Sequence, residues 1–333
     1  MTAALRLRSF AKINLGLEVM GQRQDGYHEL RTLFQTIDLH DDIVLRPRPR
    51  GIVVRCDHPQ VPLDGSNLAV RAAEALKRHG RVGGGVEITI TKRVPVGGGL
   101  GGGSSNAATV LLGLDRLWRL GLGPPGLHPL ARRLGADVPF FLVGGTALGL
   151  ARGDEVYPLR RQVRARVLIV DPGRPVSTAA VFRRVDEGLT PRENSYTIFR
   201  FVSRDLEGEN AFSVLSNDLE EAALSQAPDL RVAVERIRGI LKGGGCSLAA
   251  LSGSGSSCFG LFDDPRKARR ALKALEASRF KVFSCRTVSL EAYRRAWSRS
   301  LGREDVGVGA GPVKERTSWR SRTSRSSRWT TRS

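Results

Sequence analysis

The sequence predicts an α+β protein built as two lobes, on three observations. The chain has 333 residues with 41% hydrophobic content, enough for two domains or one bilobal domain. Strand-like and helix-like runs alternate through its first half. A new buried-strand pattern, "ARVLIVDPG" at 165–173, then opens a second section with helices of its own. The boundary falls near residue 160, giving an N-terminal lobe over 1–160, a C-terminal lobe over 161–299 and a tail over 300–333.

Along the chain, "FAKINLGLEV" begins an apolar strand in which Lys12 and Asn14, two apart, point to one face. Lys12 is either turned inward, which is rare for an unpaired lysine, or solvated on an edge strand. "DGYHEL" follows as a turn that sets Tyr27 beside His28: either a place where a flat ring could stack and hydrogen-bond, or a hairpin with a core tyrosine. "GIVVRC" (51–56) and "VEITI" (86–90) are short and β-branched, as strands are. "NLAVRAAEALKRHG" (67–80) has helical spacing and stops at glycine. "SSNAATVLLGLDRLWRLG" (104–121) is a second amphipathic helix, with Ser and Asn available as N-caps. "GLGPPGLHP" (121–129) breaks the chain before a short helix at 130–136. In the second section, helices are expected at about 228–241 and 264–278. Between them "SLAALSGSGSSCFGLFD" reads as strand, Gly-Ser turn, strand, and 281–290 reads as a last strand.

Composition narrows the function. No run approaches the ~18 apolar residues of a membrane span, and the first residues lack a secretory pattern. Four scattered cysteines without a C-x-x-C pair argue against disulfides or zinc and suit a reducing, cytoplasmic setting. The net charge of +20 favours anionic partners. Six of these net charges lie in the Ser/Thr-rich tail, where residues 313–333 carry seven Lys/Arg against one Glu, a composition expected to be disordered. A nucleic-acid-binding protein is the alternative from a different class. It needs basic residues interleaved with aromatics on a folded surface, and only 6% of the residues are aromatic.

The densest signal is "PVGGGLGGGSSNAAT" (95–109). Six of the seven residues Gly97–Gly103 are glycine. Each glycine costs a helix about 1 kcal/mol relative to alanine, so this stretch is a loop. It lies between a strand and a helix start. There bare backbone N–H groups and the positive end of a helix dipole meet, which suits phosphate. No lysine follows the glycines, so it is not a P-loop. Gly97, Gly99 and Gly102 match a dinucleotide fingerprint only formally. In "LGADVPFFLVGG" (134–145), Asp137 just past a helix is a cap or a catalytic group. An opposite charge nearby would favour its ionised form.

Pro95-Val-Gly-Gly-Gly-Leu-Gly-Gly-Gly-Ser-Ser-Asn-Ala-Ala resembles the phosphate loop of the kinase superfamily of galactokinase, homoserine kinase and mevalonate kinase. With "AKINLGLEVMGQRQDGYHEL", "LGADVPFFL" and "GSGSSCFGLF" in order, residues 8–290 are most similar to the branch that phosphorylates 4-diphosphocytidyl-2-C-methyl-D-erythritol. The resemblance implies an N-terminal lobe like ribosomal protein S5 domain 2 and a ferredoxin-like C-terminal lobe. It implies transfer of the γ-phosphate of ATP, with Mg2+, to the 2-hydroxyl of a cytidine diphosphate-linked sugar alcohol. A sister kinase acting on mevalonate or homoserine is the near alternative.

Carried over by position, the resemblance makes Lys12 and Asp137 the catalytic pair. It places ATP on Pro95, Gly97, Gly98, Gly99, Leu100, Gly101, Gly102, Gly103, Ser104, Ser105 and Asn106, with Asn67 by the adenine. Cytidine would stack between Tyr27 and Phe182 while His28 reads the base edge, and Asn14 and Thr178 would sit near the methylerythritol phosphate. Two stretches depart from the pattern. "RPVSTAAVFRRV" (174–185) matches loosely, so Ser177 could replace Thr178, and Phe182 could equally be a helix residue packed into the core. "GLARGDEV" (149–156) stands where a glycine-rich GxGxGE run is usual. No D-x-D cluster announces metal ligands, and the oligomeric state is not readable.

Overall fold

The protein is described here from a computed structural model, covering residues 4–188, 197–203, 212 and 214–300. The basic tail lies outside the described residues.

The first sheet rests on a long hairpin, β1 (Leu5–Gln22) and β2 (His28–Arg48), joined by the turn that carries Tyr27. β2 is central. β1 runs along one side of it, while β4 (Gly85–Thr91) and β5 (Thr146–Leu150) share the other. β3 (Ile52–Cys56) lies parallel to β4 at one edge, and β6 (Glu155–Pro158) is antiparallel to β5 at the other. Four helices complete this part: α1 (Leu68–His79), α2 (Gly102–Leu117), α3 (Gly123–Leu134) and the single turn α4 (Phe140–Val143). Their apolar faces close a core with Leu7, Ile43, Leu45, Ile88, Leu111 and Phe140.

The second sheet is fully antiparallel, in the order β10 (Lys281–Arg286), β7 (Arg166–Asp171), β9 (Cys258–Phe262), β8 (Leu248–Leu251). α8 (Pro228–Gly243) and α9 (Pro265–Ala277) pack on it, α7 (Glu220–Ser225) on α8 and α5 (Thr178–Gly188) on α7, whereas α6 (Thr197–Ser203) lies against β1 and β2 and α10 (Leu290–Ser300) against β1. A further apolar cluster joins the sheets, bringing Ala11, Ile13 and Leu15 of β1 against Val167, Ile169 and Phe259. This explains why β1 is buried without a break from Ser9 to Val19: both of its faces are covered. Its outer edge is taken as well. Lys12 N–H donates to the Leu100 carbonyl at 3.0 Å, and Leu17 N–H to Ser216 at 2.8 Å.

Three elements differ from the sequence expectation. α2 begins at Gly102 rather than Ser104, with Gly101 as its left-handed N-cap, so the serines and Asn106 form the first turn instead of capping it. α3 begins at Gly123, inside the expected breaker. Prolines suit the first helical positions, and the Asp115 carboxylate accepts from Leu122 and Gly123 N–H at 2.9 and 3.0 Å. The stretch 281–290 leaves the sheet at Arg286 and turns helical at Leu290. Leu290, Tyr293 and Trp297 are spaced as one helix face, and α10 folds back onto β1. The Tyr293 hydroxyl donates to the Phe141 carbonyl at 2.6 Å. Among the described residues all four cysteines are free thiols, and burial pushes Cys258 and Cys285 up to about 12.

Candidate active site

The glycine loop enters from β4 and delivers α2. Gly97, Gly99 and Gly101 have φ of 73°, 71° and 70°, a region closed to most residues at low cost. Close approach adds a second reason. A Cβ on Gly99 would run into the Ser252 carbonyl, and one on Gly101 would lie 2.8 Å from the Phe141 ring and 3.0 Å from the Lys12 chain. The N-cap has no side-chain hydrogen bond to the first turn. The backbone N–H groups at this end of α2 are left without side-chain caps, and Gly97 and Gly103 beside them are exposed, so the amides and the helix dipole border an opening suited to an anion.

Lys12 sits beneath this opening. It is 3% exposed, its chain packed under Gly101. Its ammonium donates to Asn14 Oδ1 at 2.6 Å and lies 3.5 Å from Asp137 Oδ2. Asn14 in turn donates to Thr32 Oγ1 at 2.8 Å, and Thr32 donates to the Gly16 carbonyl at 2.9 Å. Lys12 is thus held inside the protein, and the solvated alternative falls. Asp137 comes from the turn between α3 and α4, with its side chain 35% exposed. One charge of the pair is buried and the other reaches solvent, so an incoming molecule can touch the carboxylate while the ammonium stays fixed.

A second Gly-Ser turn, 252–257, lies against the first loop. Ser252 Oγ donates to the Gly99 carbonyl at 2.9 Å and Ser257 N–H to the Gly98 carbonyl at 3.2 Å. Asn217 Nδ2 anchors this turn at the Gly253 carbonyl, 2.7 Å away. The sequence marks the turn but assigns it no part in the site. A buried network was missed altogether. Asp41, fully buried, accepts at Oδ1 from the N–H of Arg93 and Val94 at 2.8 and 2.9 Å. At Oδ2 it accepts from Lys92 Nζ at 2.5 Å and Asn106 Nδ2 at 2.9 Å. Ser9 accepts from Asn106 and donates to Ser105 Oγ, each at 2.8 Å. Ser105 and Asn106 therefore face inward and brace the first turn of α2, while Ser104 stays at the opening.

The remaining candidates divide. Asn67 caps α1: its side chain accepts from Ala69 N–H at 2.9 Å and donates to the Pro62 carbonyl at 2.7 Å. Pro95 is half-buried just ahead of the loop, Leu100 is buried, and Gly103 is exposed in the first turn of α2. Thr178 opens α5 and shares a hydrogen bond with Ser254 Oγ at 2.8 Å, which brings α5 to the second Gly-Ser turn. Ser177 instead accepts from Ala180 N–H within its own turn at 3.4 Å. His28 is buried, stacked on Phe182 at 4.8 Å, with Nε2 2.6 Å from Asp186 Oδ1. Tyr27 is 53% exposed and packs under Arg152, whose guanidinium carbon is 4.6 Å from the ring centre. One face of Phe182 is thus covered by His28, whereas Tyr27 presents an aromatic surface to solvent.

A two-lobed α+β frame with a glycine loop capping a helix beside a lysine–aspartate pair is that of a GHMP kinase. Residues 67–145 match the GHMP kinases N terminal domain, and residues 204–282 the GHMP kinases C terminal family. The chain is 39% identical over 279 residues to the 4-diphosphocytidyl-2-C-methyl-D-erythritol kinase of Chlorobium luteolum, covering 83% of this chain and 94% of that protein. It is 40% identical over 290 residues to the enzyme of that name from Gloeobacter violaceus, covering 85% and 94%. A crystal structure of 4-(cytidine 5'-diphospho)-2C-methyl-D-erythritol kinase superposes with a TM-score of 0.68 at 37% identity, covering 85% of this chain and 99% of that one. The homoserine kinase of Cytophaga hutchinsonii shares the fold, with a TM-score of 0.68 at 18% identity. This chain belongs to the 4-diphosphocytidyl-2-C-methyl-D-erythritol kinase family. As a kinase of that family it uses ATP as phosphate donor and a small molecule as acceptor. Among the described residues no helix is long and apolar enough to cross a membrane.

Proposed function

We propose that this protein transfers the γ-phosphate of ATP to the 2-hydroxyl of 4-diphosphocytidyl-2-C-methyl-D-erythritol, with Lys12 and Asp137 at the reacting centre. The observation that carries it is the 3.5 Å separation of Lys12 Nζ from Asp137 Oδ2 beside the N-terminus of α2. The amides of the glycine loop cradle the triphosphate, and Ser104 adds its hydroxyl. Asp137 orients the acceptor hydroxyl and takes its proton as the new O–P bond forms and the bond to ADP breaks. Phosphoryl transfer asks mainly for alignment and charge neutralisation, so a well-placed carboxylate suffices. Lys12 neutralises the oxygens in transit.

Tyr27 and Phe182 flank the pyrimidine and His28 reads its edge, as the buried His28–Asp186 contact at 2.6 Å prepares it to do. Asn14 and Thr178 lie towards the methylerythritol phosphate. No cluster of three His, Cys, Asp or Glu able to hold a metal occurs among the described residues. The part-exposed carboxylate of Asp137 and the hydroxyl of Ser104 are the kind of oxygen Mg2+ takes, since it keeps most of its waters and binds through phosphates with one or two protein oxygens. Asp137 and Ser104 are the residues that would supply them, and the ion would offset phosphate charge.

The purified protein, assayed with ATP against the cytidylyl substrate, mevalonate and homoserine, is expected to prefer the first by at least about 10³-fold in kcat/KM. Comparable turnover of mevalonate or homoserine would overturn the acceptor assignment, and turnover of none would overturn the kinase.

A further inference from the structure

We infer that Arg152 is a positioning residue for the pyrimidine site: clamped by buried Asp154, it lies flat against Tyr27 and fixes that ring as a shelf for the base. This rests on the reading of Tyr27 as a cytidine-stacking residue.

Tyr27 stands at the tip of the β1–β2 hairpin, in a turn with few means of holding a large side chain. The turn is tied to the 151–154 loop, where the Ala151 carbonyl accepts from Leu30 N–H at 2.6 Å. Arg152 extends from that loop over the ring, with its guanidinium carbon 4.6 Å from the ring centre. A planar cation against an aromatic face is attractive, and a lysine cannot reproduce the flat stack.

The arginine is itself held. Asp154 is fully buried, and its Oδ2 accepts from Arg152 Nη2 at 2.6 Å, Arg152 Nε at 3.2 Å and Arg132 Nε at 2.9 Å. Burial opposes a charge on Asp154, but the hydrogen bonds from Arg152 and then Arg132 outweigh it and keep the carboxyl below its usual range. A buried carboxylate is costly unless so paired, which fixes the guanidinium plane and, through it, the ring. Asp25, in the same turn as Tyr27, adds a smaller attraction. Arg132 lies in the last turn of α3, just ahead of the Asp137 turn, so one carboxylate ties the base shelf to the segment bearing the proposed base. The "GLARGDEV" departure from the usual glycine-rich run is where this clamp sits.

A double-mutant cycle on the full-length enzyme tests this, using the cytidylyl substrate for kinetics and cytidine 5'-diphosphate for calorimetry. Arg152→Ala is expected to raise KM for the cytidylyl substrate and Kd for cytidine diphosphate about 5-fold, with kcat and the KM for ATP within about 2-fold. In a Tyr27→Ala background it should add nothing. Arg152→Lys, which keeps a charge for Asp154 and so guards against lost stability, should still raise KM. An equal effect of Arg152→Ala in both backgrounds, no effect in either, or wild-type KM for Arg152→Lys would overturn the clamp. If Tyr27→Ala itself leaves KM unchanged, the stacking assignment of Tyr27 fails first, a result distinct from failure of the clamp alone.

Discussion

Asp137→Asn is expected to lower kcat by about 10³-fold or more while ATP binding, followed by calorimetry, stays within a few-fold of wild type. Amide and carboxylate are close in size, so the turn between α3 and α4 should keep its shape. The amide could still accept a hydrogen bond through its carbonyl oxygen, but it could not take the acceptor's proton. The protein should remain folded, because Asp137 is partly exposed and Lys12 keeps its 2.6 Å bond to Asn14 when the pair is broken. The prediction isolates chemistry from binding, since the amides that hold the triphosphate belong to a different element. A variant retaining a tenth of wild-type turnover would remove Asp137 from the reacting centre.

Gly99→Ala should be nearly as damaging, through the nucleotide. At a φ of 71° an alanine pays about 1–2 kcal/mol in conformational strain. Its Cβ would also meet the Ser252 carbonyl, and would lie 2.9 Å from the carbonyl of Gly255. Backbone cannot yield as a flexible side chain can, so the two Gly-rich turns must move apart. A displacement on the order of 1 Å at a phosphate site costs about 10²-fold. We expect at least that loss in kcat/KM for ATP, with circular dichroism confirming a folded protein. Wild-type kinetics for ATP would mean that the seam between the turns at 97–103 and 252–257 has no part in holding the triphosphate.

What was legible in the sequence followed the range of the interaction. Six glycines before a helix mark a phosphate loop because the signal is local, and the strands at 52–56 and 85–91 announce themselves by β-branched residues. The spacing of Lys12 and Asn14 implied a shared face, and the structure places both there. That Lys12 meets Asp137, 125 positions on, no local pattern could say; only the resemblance suggested it. The Asp41 network was invisible for the same reason. Its donors come from three segments, and nothing local in "LHDDIVL" marks Asp41 as buried. Asp115 lies inside a helical run with nothing local to mark it, yet its carboxylate accepts from two N–H groups at the start of the next helix. The serines after Gly103 looked like caps because Ser and Asn are good ones, but Gly102 and Gly103 had already started the helix. α10 was missed because 281–290 is strand-like and Tyr293 finds its burial on the other lobe.

The proposed transfer depends on where the terminal phosphate of ATP lies. A crystal structure with a non-hydrolysable ATP analogue and the cytidylyl acceptor tests this most directly. The γ-phosphate is expected against the amides at the N-terminus of α2, with the acceptor's 2-hydroxyl in line and within hydrogen-bond reach of Asp137. A triphosphate bound away from residues 97–104, or an acceptor hydroxyl out of reach of both Asp137 and Lys12, would contradict it.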